Sequence, residues 1–328
     1  MEPAAQSPPT AIEIGLAAAI VVVKGDVPQI LVARGGDATP GLPFGVFDPL
    51  AHRTFEIGLR AWVKEQTGFS LGYVEQLYTF GDRGRHARRG DGEPHEVSVG
   101  YLALTRLGAE ASEVPTTARL LPWYHFFPWE DWRSGKPECL AAILPALDEW
   151  AADVIADRED IERRGLSRRE RLKLSFGTAS IPWDEEKALD RYELLYEAGL
   201  VGEALRDGRP SAEARQSLPP AGEMMRFDHR RILATAISRL RAKLKYRPLI
   251  FELMPPTFTL TALQRTVEAI AGRHLHKQNF RRFVEGTALV EPTGDMAPTA
   301  GRPAAVFRFR REVLQERPSL GLRLGGRG

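Results

Sequence analysis

Residues 42–69 read LPFGVFDPLAHRTFEIGLRAWVKEQTGF. The stretch opens within a loop, Arg34 to Pro49, rich in glycine and proline, and turns into a helix. From Thr54 to Gln66 the apolar residues Phe55, Leu59, Trp62 and Val63 keep the 3.6-residue spacing of an amphipathic helix. Thr67-Gly68 ends it, the glycine supplying a left-handed cap. Upstream, Glu13–Val23 and Gln29–Ala33 read as strands around the turn Lys24-Gly25-Asp26. Downstream, Tyr73–Phe80 and Val97–Thr105 read as two more, around the loop 81–95. Strands, one helix and strands again predict an α/β layer fold.

At 328 residues the chain exceeds one ordinary core, so two domains are expected. The longest apolar run, Leu16 to Val23, is far too short to span a bilayer, which needs roughly 20 residues. Residues 1–11 carry no basic start or long apolar core and read as a disordered leader rather than a signal peptide. The single cysteine, Cys139, excludes an internal disulfide and a cysteine-built zinc site. A cytoplasmic protein is expected. Charge is divided unevenly: residues 226–328 hold 20 Lys+Arg against 8 Asp+Glu, net +12, while residues 1–225 hold 25 against 35, net −10. A basic C-terminal third suggests a module that binds a polyanion.

That third has an order of its own. Phe227–Leu244 is a long amphipathic helix, followed by the short apolar run Arg247–Pro256. Thr259 is an N-cap for a helix Leu260–Ala271 closed by Gly272. Lys277–Glu285 (KQNFRRFVE) is a further helix that turns Phe280, Phe283 and Val284 inward and Lys277, Gln278, Arg281 and Arg282 outward. Leu289–Glu291 and Ala304–Phe309 then pair as strands around a loop ending in Gly301-Arg302-Pro303. Helix, helix, basic helix and hairpin is the order of a winged helix. Basic and amide side chains on one helix face are what reading a major groove requires.

Between these regions Glu138–Ile155 reads as one amphipathic helix. Further helices are expected within Arg163–Arg191, interrupted at Pro182, and over Asp190–Leu200. Residues 206–225 have the composition of a linker. The aromatic run Pro122–Trp132 is expected to pack against the sheet. The expected organisation is a leader (1–11), an α/β domain (12–137), a helical extension (138–205), a linker (206–225), a winged-helix domain (226–311) and a disordered tail (312–328).

Residues 42–69 are similar to the Nudix box, in which a glycine-containing loop leads into a helix carrying glutamates for magnesium. Leu42-Pro43-Phe44-Gly45 stands where the family often has L-P-G-G, and Thr67-Gly68-Phe69 matches the end of the box. Read back from Gly68, Glu65 keeps one glutamate, but Gln66, Trp62 and Ala61 replace the second glutamate, the earlier glutamate and the arginine. The loop is also two residues longer than the pattern. An amide and an indole do not replace anionic ligands on a hard cation, so hydrolysis is expected to be lost and no metal or cofactor to be required. Residues 76–106, with Thr79-Phe80-Gly81, a loop bearing Arg83, Arg85, Arg88 and Arg89, and Val97-Ser98-Val99, resemble Nudix-related regulators of NAD metabolism. Guanidinium clusters favour phosphate. FELMPPTFTLTALQRTVEAIAGRHLHKQNFRRFV and GRPAAVFRF resemble the C-terminal domain of the NrtR-type regulators. With HRTFEIGLRAWVKEQTG, YHFFPWEDWR and PWDEEKALDRYELLYEAGLV, the chain looks like the NadQ-type alphaproteobacterial branch over roughly residues 12–311.

The resemblance implies a Nudix-like α/β/α sandwich followed by an α+β winged helix-turn-helix domain. It also implies a repressor of NAD biosynthesis genes that senses NAD, ADP-ribose or a related adenine nucleotide. Arg34, Phe44, Gly45, Glu65, Phe80, Arg83 and Arg85 are the expected ligand-binding residues. Thr259, Lys277, Gln278, Asn279, Arg281, Arg282 and Arg302 are the expected DNA-binding residues. A homodimer on double-stranded, palindromic operator DNA is expected, with no membrane association. The rival reading is a Nudix pyrophosphohydrolase acting on ADP-ribose or NAD with an accessory nucleic-acid-binding domain.

Overall fold

A computed structural model of the chain describes residues 12–34, 39–82, 95–106, 118–177, 180–215, 217–245, 247–299 and 301–312. Among them, seven strands form one mixed sheet: β1 (Ile12–Lys24), β2 (Val27–Arg34), β3 (Pro40–Gly41), β4 (Phe44–Val46), β5 (Tyr73–Phe80), β6 (His95–Leu104) and β7 (Ala118–Pro122). The order is β3-β2-β1-β6-β5, with β4 added to β1 and β7 to β2. The β1–β6 pair is parallel and the remaining pairs are antiparallel. The β1–β2 turn closes with Lys24 opposite Val27, and Gly25 and Asp26 both take positive φ (57° and 61°). That is the tight hairpin turn whose twist matches the strands.

Because strand side chains alternate, the unbroken run Leu16–Val22 buries both faces of β1. Leu16, Ala18 and Ile20 meet Leu59 and Val63 of α1 (Phe55–Thr67). Thr54 caps that helix, its hydroxyl accepting from the Ile57 amide at 3.2 Å, and Gly68 closes it in the left-handed region. Ala17, Ala19 and Val21 face the other way, into a much larger core.

The second helical layer does not come from the N-terminal sequence. It is α8 (His229–Leu244), which lies on β1, β5 and β6. At Gly100 of β6 a β-carbon would stand 2.9 Å from the Phe80 ring and 3.0 Å from Ile232, so glycine permits the close approach. Ile232, Ile237 and Leu240 are essentially fully buried there, each worth roughly 1.5–3 kcal/mol of burial. One continuous core runs from Ala17 to Leu289. The boundary expected at 226 therefore marks no break in packing.

The helices before α8 are α2 (Leu140–Trp150), α3 (Val154–Arg164), α4 (Arg168–Phe176), α5 (Ala188–Glu197), α6 (Gly202–Arg206) and α7 (Pro210–Glu213). The single helix expected over Glu138–Ile155 is two. The Asp153 carboxylate accepts from the Ile155 and Ala156 amides, both at 3.2 Å, and so starts α3 afresh. Residues 206–225, expected as a linker, hold α7 and bury Ala212, Ala221 and Met225. The aromatic run packs as expected: Trp123, Phe126, Phe127 and Trp129 are fully buried.

After α8 a 3₁₀ turn (Leu249–Glu252) leads to β8 (Thr257–Thr259), α9 (Leu260–Ala271), α10 (Lys277–Thr287), β9 (Val290–Ala297) and β10 (Ala304–Phe309). The second sheet has the order β8-β10-β9. Phe251 of the 3₁₀ turn stacks on Phe258 (5.6 Å) and Phe309 (4.3 Å), fastening this sheet to the α8 end. Among the described residues, no helix is long and apolar enough to cross a membrane.

Candidate effector cleft and nucleic-acid interface

β4 presents Phe44 and Gly45 beside the ends of β1 and α1, with Ala17 opposite Phe44 and Leu16 opposite Gly45. Trp62 of α1 lies directly over Gly45: a β-carbon there would fall 1.6 Å from the indole nitrogen. Phe44 meets Trp62 edge-on at 6.5 Å, and the Gln66 amide reaches the Phe44 carbonyl at 3.4 Å. The two residues that replace the box glutamates therefore pack onto the glycine loop. Glu65 is exposed on the same helix. Among the described residues, no group of three or more His, Cys, Asp or Glu side chains could hold a metal ion. The residues present do not fit magnesium, since an indole fills the space and two of the box's carboxylates are gone.

Of the remaining expected ligand residues, Phe80 is 2% exposed, with Tyr78 edge-on at 5.6 Å and the Arg231 guanidinium over its ring at 5.3 Å. It is a core residue in this conformation rather than an open stacking surface. Arg34 ends β2, but its side chain lies outside the described residues, as do Arg83, Arg85, Arg88 and Arg89.

Residues from far along the sequence pack against this site. Phe227 and His229 lie 5.7 and 5.6 Å from the Phe44 ring. The Leu42 amide donates to His229 Nδ1 at 3.0 Å, and the Arg226 amide donates to the Pro40 carbonyl at 2.9 Å. Since Nδ1 accepts, the His229 ring carries its proton on Nε2. Nothing local in RFDH marks these residues for the cleft, because their partners lie about 185 positions upstream.

On the second surface, Lys277, Gln278, Asn279, Arg281 and Arg282 are exposed along α10, while Phe280 and Val284 are buried beneath. Arg282 donates to the Asn279 side chain at 2.7 Å, so these two present a joined polar edge. Thr259 is occupied as the cap of α9, its hydroxyl accepting from the Ala262 amide at 3.1 Å. Arg302 is exposed at the end of the β9–β10 loop, and Arg308 pairs with Glu291 at 2.6 Å along that hairpin.

Glu268, which the sequence reading passed over, sets the turn into α10. Its carboxylate accepts from the Leu275 amide and the Gln264 side chain, both at 2.8 Å, and meets His274 at 3.1 Å. Burial pushes its pKa up, but these bonds outweigh that and hold it below the usual carboxylate value.

The last carbonyls of a helix have no partners within it. For α9 they are taken by groups from the rest of the chain. Tyr124 donates to the Ala269 carbonyl at 2.6 Å, Arg241 to that of Ile270 at 2.8 Å, and the Trp132 amide to that of Gly272 at 2.7 Å. Arg241 and Arg191 both grip Glu130, at 2.5 Å each, with all three side chains fully buried. The helix-turn-helix is thus docked rigidly on the α/β body.

Comparison with known proteins agrees with this geometry. Residues 250–309 match the NrtR DNA-binding winged helix domain. The ADPR responsive transcriptional repressor NtrR of Acinetobacter baylyi is 43% identical over 83 residues, 25% of this chain and 33% of that protein's length. The Shewanella oneidensis NrtR structure complexed with a 27mer DNA superposes with a TM-score of 0.54 at 17% identity, over 92% of this chain and 95% of that one. The structure of Shewanella oneidensis NrtR determined without DNA gives 0.53 at 18%, over 91% and 94%. The chain therefore shares the fold of the Shewanella oneidensis NrtR structures and matches the NrtR DNA-binding winged helix domain at residues 250–309.

Proposed function

We propose that the chain is a DNA-binding transcriptional repressor of NAD biosynthesis genes, acting in the cytoplasm as a homodimer on a palindromic operator. Its Nudix-type cleft would sense an adenine nucleotide, with ADP-ribose the first candidate. The observation that carries the reading is the exposed edge Lys277–Arg282 on a helix held by the NrtR-type domain. The effector assignment leans on the Acinetobacter baylyi relative, whose name states that it is ADPR responsive. The reading that hydrolysis is lost is supported by Trp62 and Gln66, which stand where the box has glutamates and pack on Gly45 and Phe44.

The test is operator binding by fluorescence anisotropy with and without ADP-ribose, beside a magnesium-dependent hydrolysis assay followed by chromatography. Binding of a duplex from upstream of NAD biosynthesis genes is expected. So is a change of about 5–150-fold on adding effector, the usual span of a coupling free energy. Robust turnover of ADP-ribose or NAD that Glu65→Ala abolishes would overturn the regulator reading in favour of an enzyme.

A further inference from the structure

Phe227 has φ +49°, in the left-handed region that a bulky side chain rarely adopts. Two other non-glycine residues among those described share positive φ, and both have local reasons: Asp26 makes the β1–β2 turn, and Ala288 is the C-cap of α10. Phe227 is the second residue of a turn that the His229 amide closes on the Arg226 carbonyl at 3.1 Å, a place where positive φ usually calls for glycine. It stands one residue before the N-cap Asp228 of α8, the helix whose Arg241 reaches α9. Strained backbone at such a junction persists only where the surroundings enforce it.

The enforcement is visible. On one side the Arg226 amide holds Pro40, and on the other His229 holds the Leu42 amide. Gly41 between them leaves room: a β-carbon there would stand 3.1 Å from His229 Nδ1 and 3.3 Å from Arg226 Nε. The Phe227 ring is gripped by Phe44 at 5.7 Å, His229 at 5.3 Å and the Arg226 guanidinium at 5.3 Å. Phe44 is engaged by three rings, Trp62 edge-on and Phe227 and His229 at tilts of 39° and 47°. A planar base that stacks on the face of Phe44 that Phe227 covers takes the place of the Phe227 ring. From there α8 runs from His229 to Arg241, about 18 Å of helix, and Arg241 holds the Ile270 carbonyl of α9.

We propose that Phe227 is the positioning residue that couples the cleft to the DNA-reading helices, because an aromatic base stacking on Phe44 displaces it and frees the strained entry to α8. The inference rests on the reading of the cleft as an adenine-nucleotide sensor.

The experiment compares the full-length wild type with Phe227→Gly, which accepts positive φ, and Phe227→Leu, which keeps bulk without an aromatic face. ADP-ribose affinity is measured by calorimetry. Operator affinity is measured by anisotropy with and without saturating ADP-ribose, and the ratio of the two is the coupling. Both variants are expected to bind ADP-ribose several-fold more tightly, since no ring need be displaced, and to shift their ligand-free operator affinity towards that of the ADP-ribose-bound wild type, since the entry to α8 is already freed. Their coupling ratio should fall at least fivefold towards one. An unchanged ratio overturns the proposal, as does an operator affinity at saturating ADP-ribose tenfold below that of the wild type, which marks a merely structural role. A wild type that does not bind ADP-ribose overturns the sensor reading itself. If Phe227→Gly does not fold, Phe227→Leu reads the same ratio.

Discussion

Removing the Glu130 carboxylate should destabilise the chain by about 3–5 kcal/mol, the cost of breaking a buried ion pair from one side. The structure places this case at the upper end. One carboxylate serves two guanidiniums, accepting from Arg191 Nε at 2.5 Å and Nη2 at 2.9 Å and from Arg241 Nη1 at 2.5 Å. None of the three side chains is exposed, so Glu130→Ala leaves two buried cations facing each other. Against a typical total of about 5–15 kcal/mol, this is a large share of the stability. Glu130→Gln, with its shape kept and its charge gone, should fall between wild type and Glu130→Ala. Replacing all three residues with apolar ones of similar volume should recover much of the loss, since the penalty lies in the unpaired charges. Guanidinium denaturation followed by circular dichroism reads all four proteins. A loss under about 1 kcal/mol for Glu130→Ala would refute the account, because surface pairs lie in that range. The pH dependence has a definite sign. Burial alone would raise the Glu130 pKa, but Arg191 and Arg241 outweigh it and hold it below the ordinary value. Its contribution is therefore complete above the unfolded pKa, about 4.3, and is lost as pH falls from there through the lower folded value.

Gly45→Ala should destabilise by roughly 1–3 kcal/mol through overpacking, because the new methyl meets the Trp62 indole; thermal melts of Gly45→Ala with and without Trp62→Ala should show partial rescue in the double variant. Ser167→Ala should cost about 1 kcal/mol in the same assay, since Ser167 and Glu170 form a reciprocal capping box that starts α4. Arg281→Ala and Arg282→Ala should each weaken operator binding by about 1–3 kcal/mol; unchanged anisotropy titrations for both would mean that another element reads the DNA. The salt dependence of operator affinity should correspond to about four phosphate contacts per chain, about eight for the proposed dimer, a slope near −7 in log K against log salt, and a far steeper slope would mean that more of the basic residues touch DNA.

Much of the architecture was legible because periodicity and caps pointed the same way. β5 runs from Tyr73 to Phe80, and α9 from Leu260 to Ala271 under the Thr259 cap, both as read from the sequence. The break after Trp150 was hidden because Leu, Ile and Ala continue the apolar stripe across it, whereas the signal that ends the helix is the single cap Asp153. β8, three residues long, is too short for any pattern and exists through pairing with β10. The cleft was half legible. Phe44, Gly45 and Trp62 sit in a recognisable box, but Phe227 and His229 enter it by tertiary packing alone. Phe80 reads as a candidate stacker but more readily as a core residue, and its burial beside Arg231 of α8 places it in the core in this conformation.

The charge division needs a different account from the one its totals suggest. Several cations counted toward the +12 of residues 226–328 face acids of the first 225 residues rather than an open surface. Arg230 meets Glu203 at 3.1 Å and Arg241 meets Glu130, both pairs fully buried. Lys243 meets Glu75 at 2.7 Å, and Arg231 reaches Glu193 at 2.6 Å. Arg273 and Lys245 both reach Glu185, at 3.2 and 3.5 Å. The acidic body and the basic third are therefore complementary to each other, and α8 is the element on which most of these pairs meet. A cation held within hydrogen-bonding distance of a buried carboxylate is poorly placed to neutralise a phosphate, so net charge overstates the surface left for DNA. Among the described residues, the exposed cations of the winged-helix reading surface are Lys277, Arg281 and Arg282 on α10, with Arg302 at the hairpin tip, while Arg247, Arg265 and Arg311 are exposed as well. The same pairing explains how a helix with ten buried residues, three of them charged or titratable, sits on an apolar sheet. His229, Arg230 and Arg241 each meet a specific partner across the boundary, so α8 is fixed in register as well as in place. A helix held that specifically at both ends transmits a displacement at one end to the other, because its interior has no apolar slack in which to absorb it.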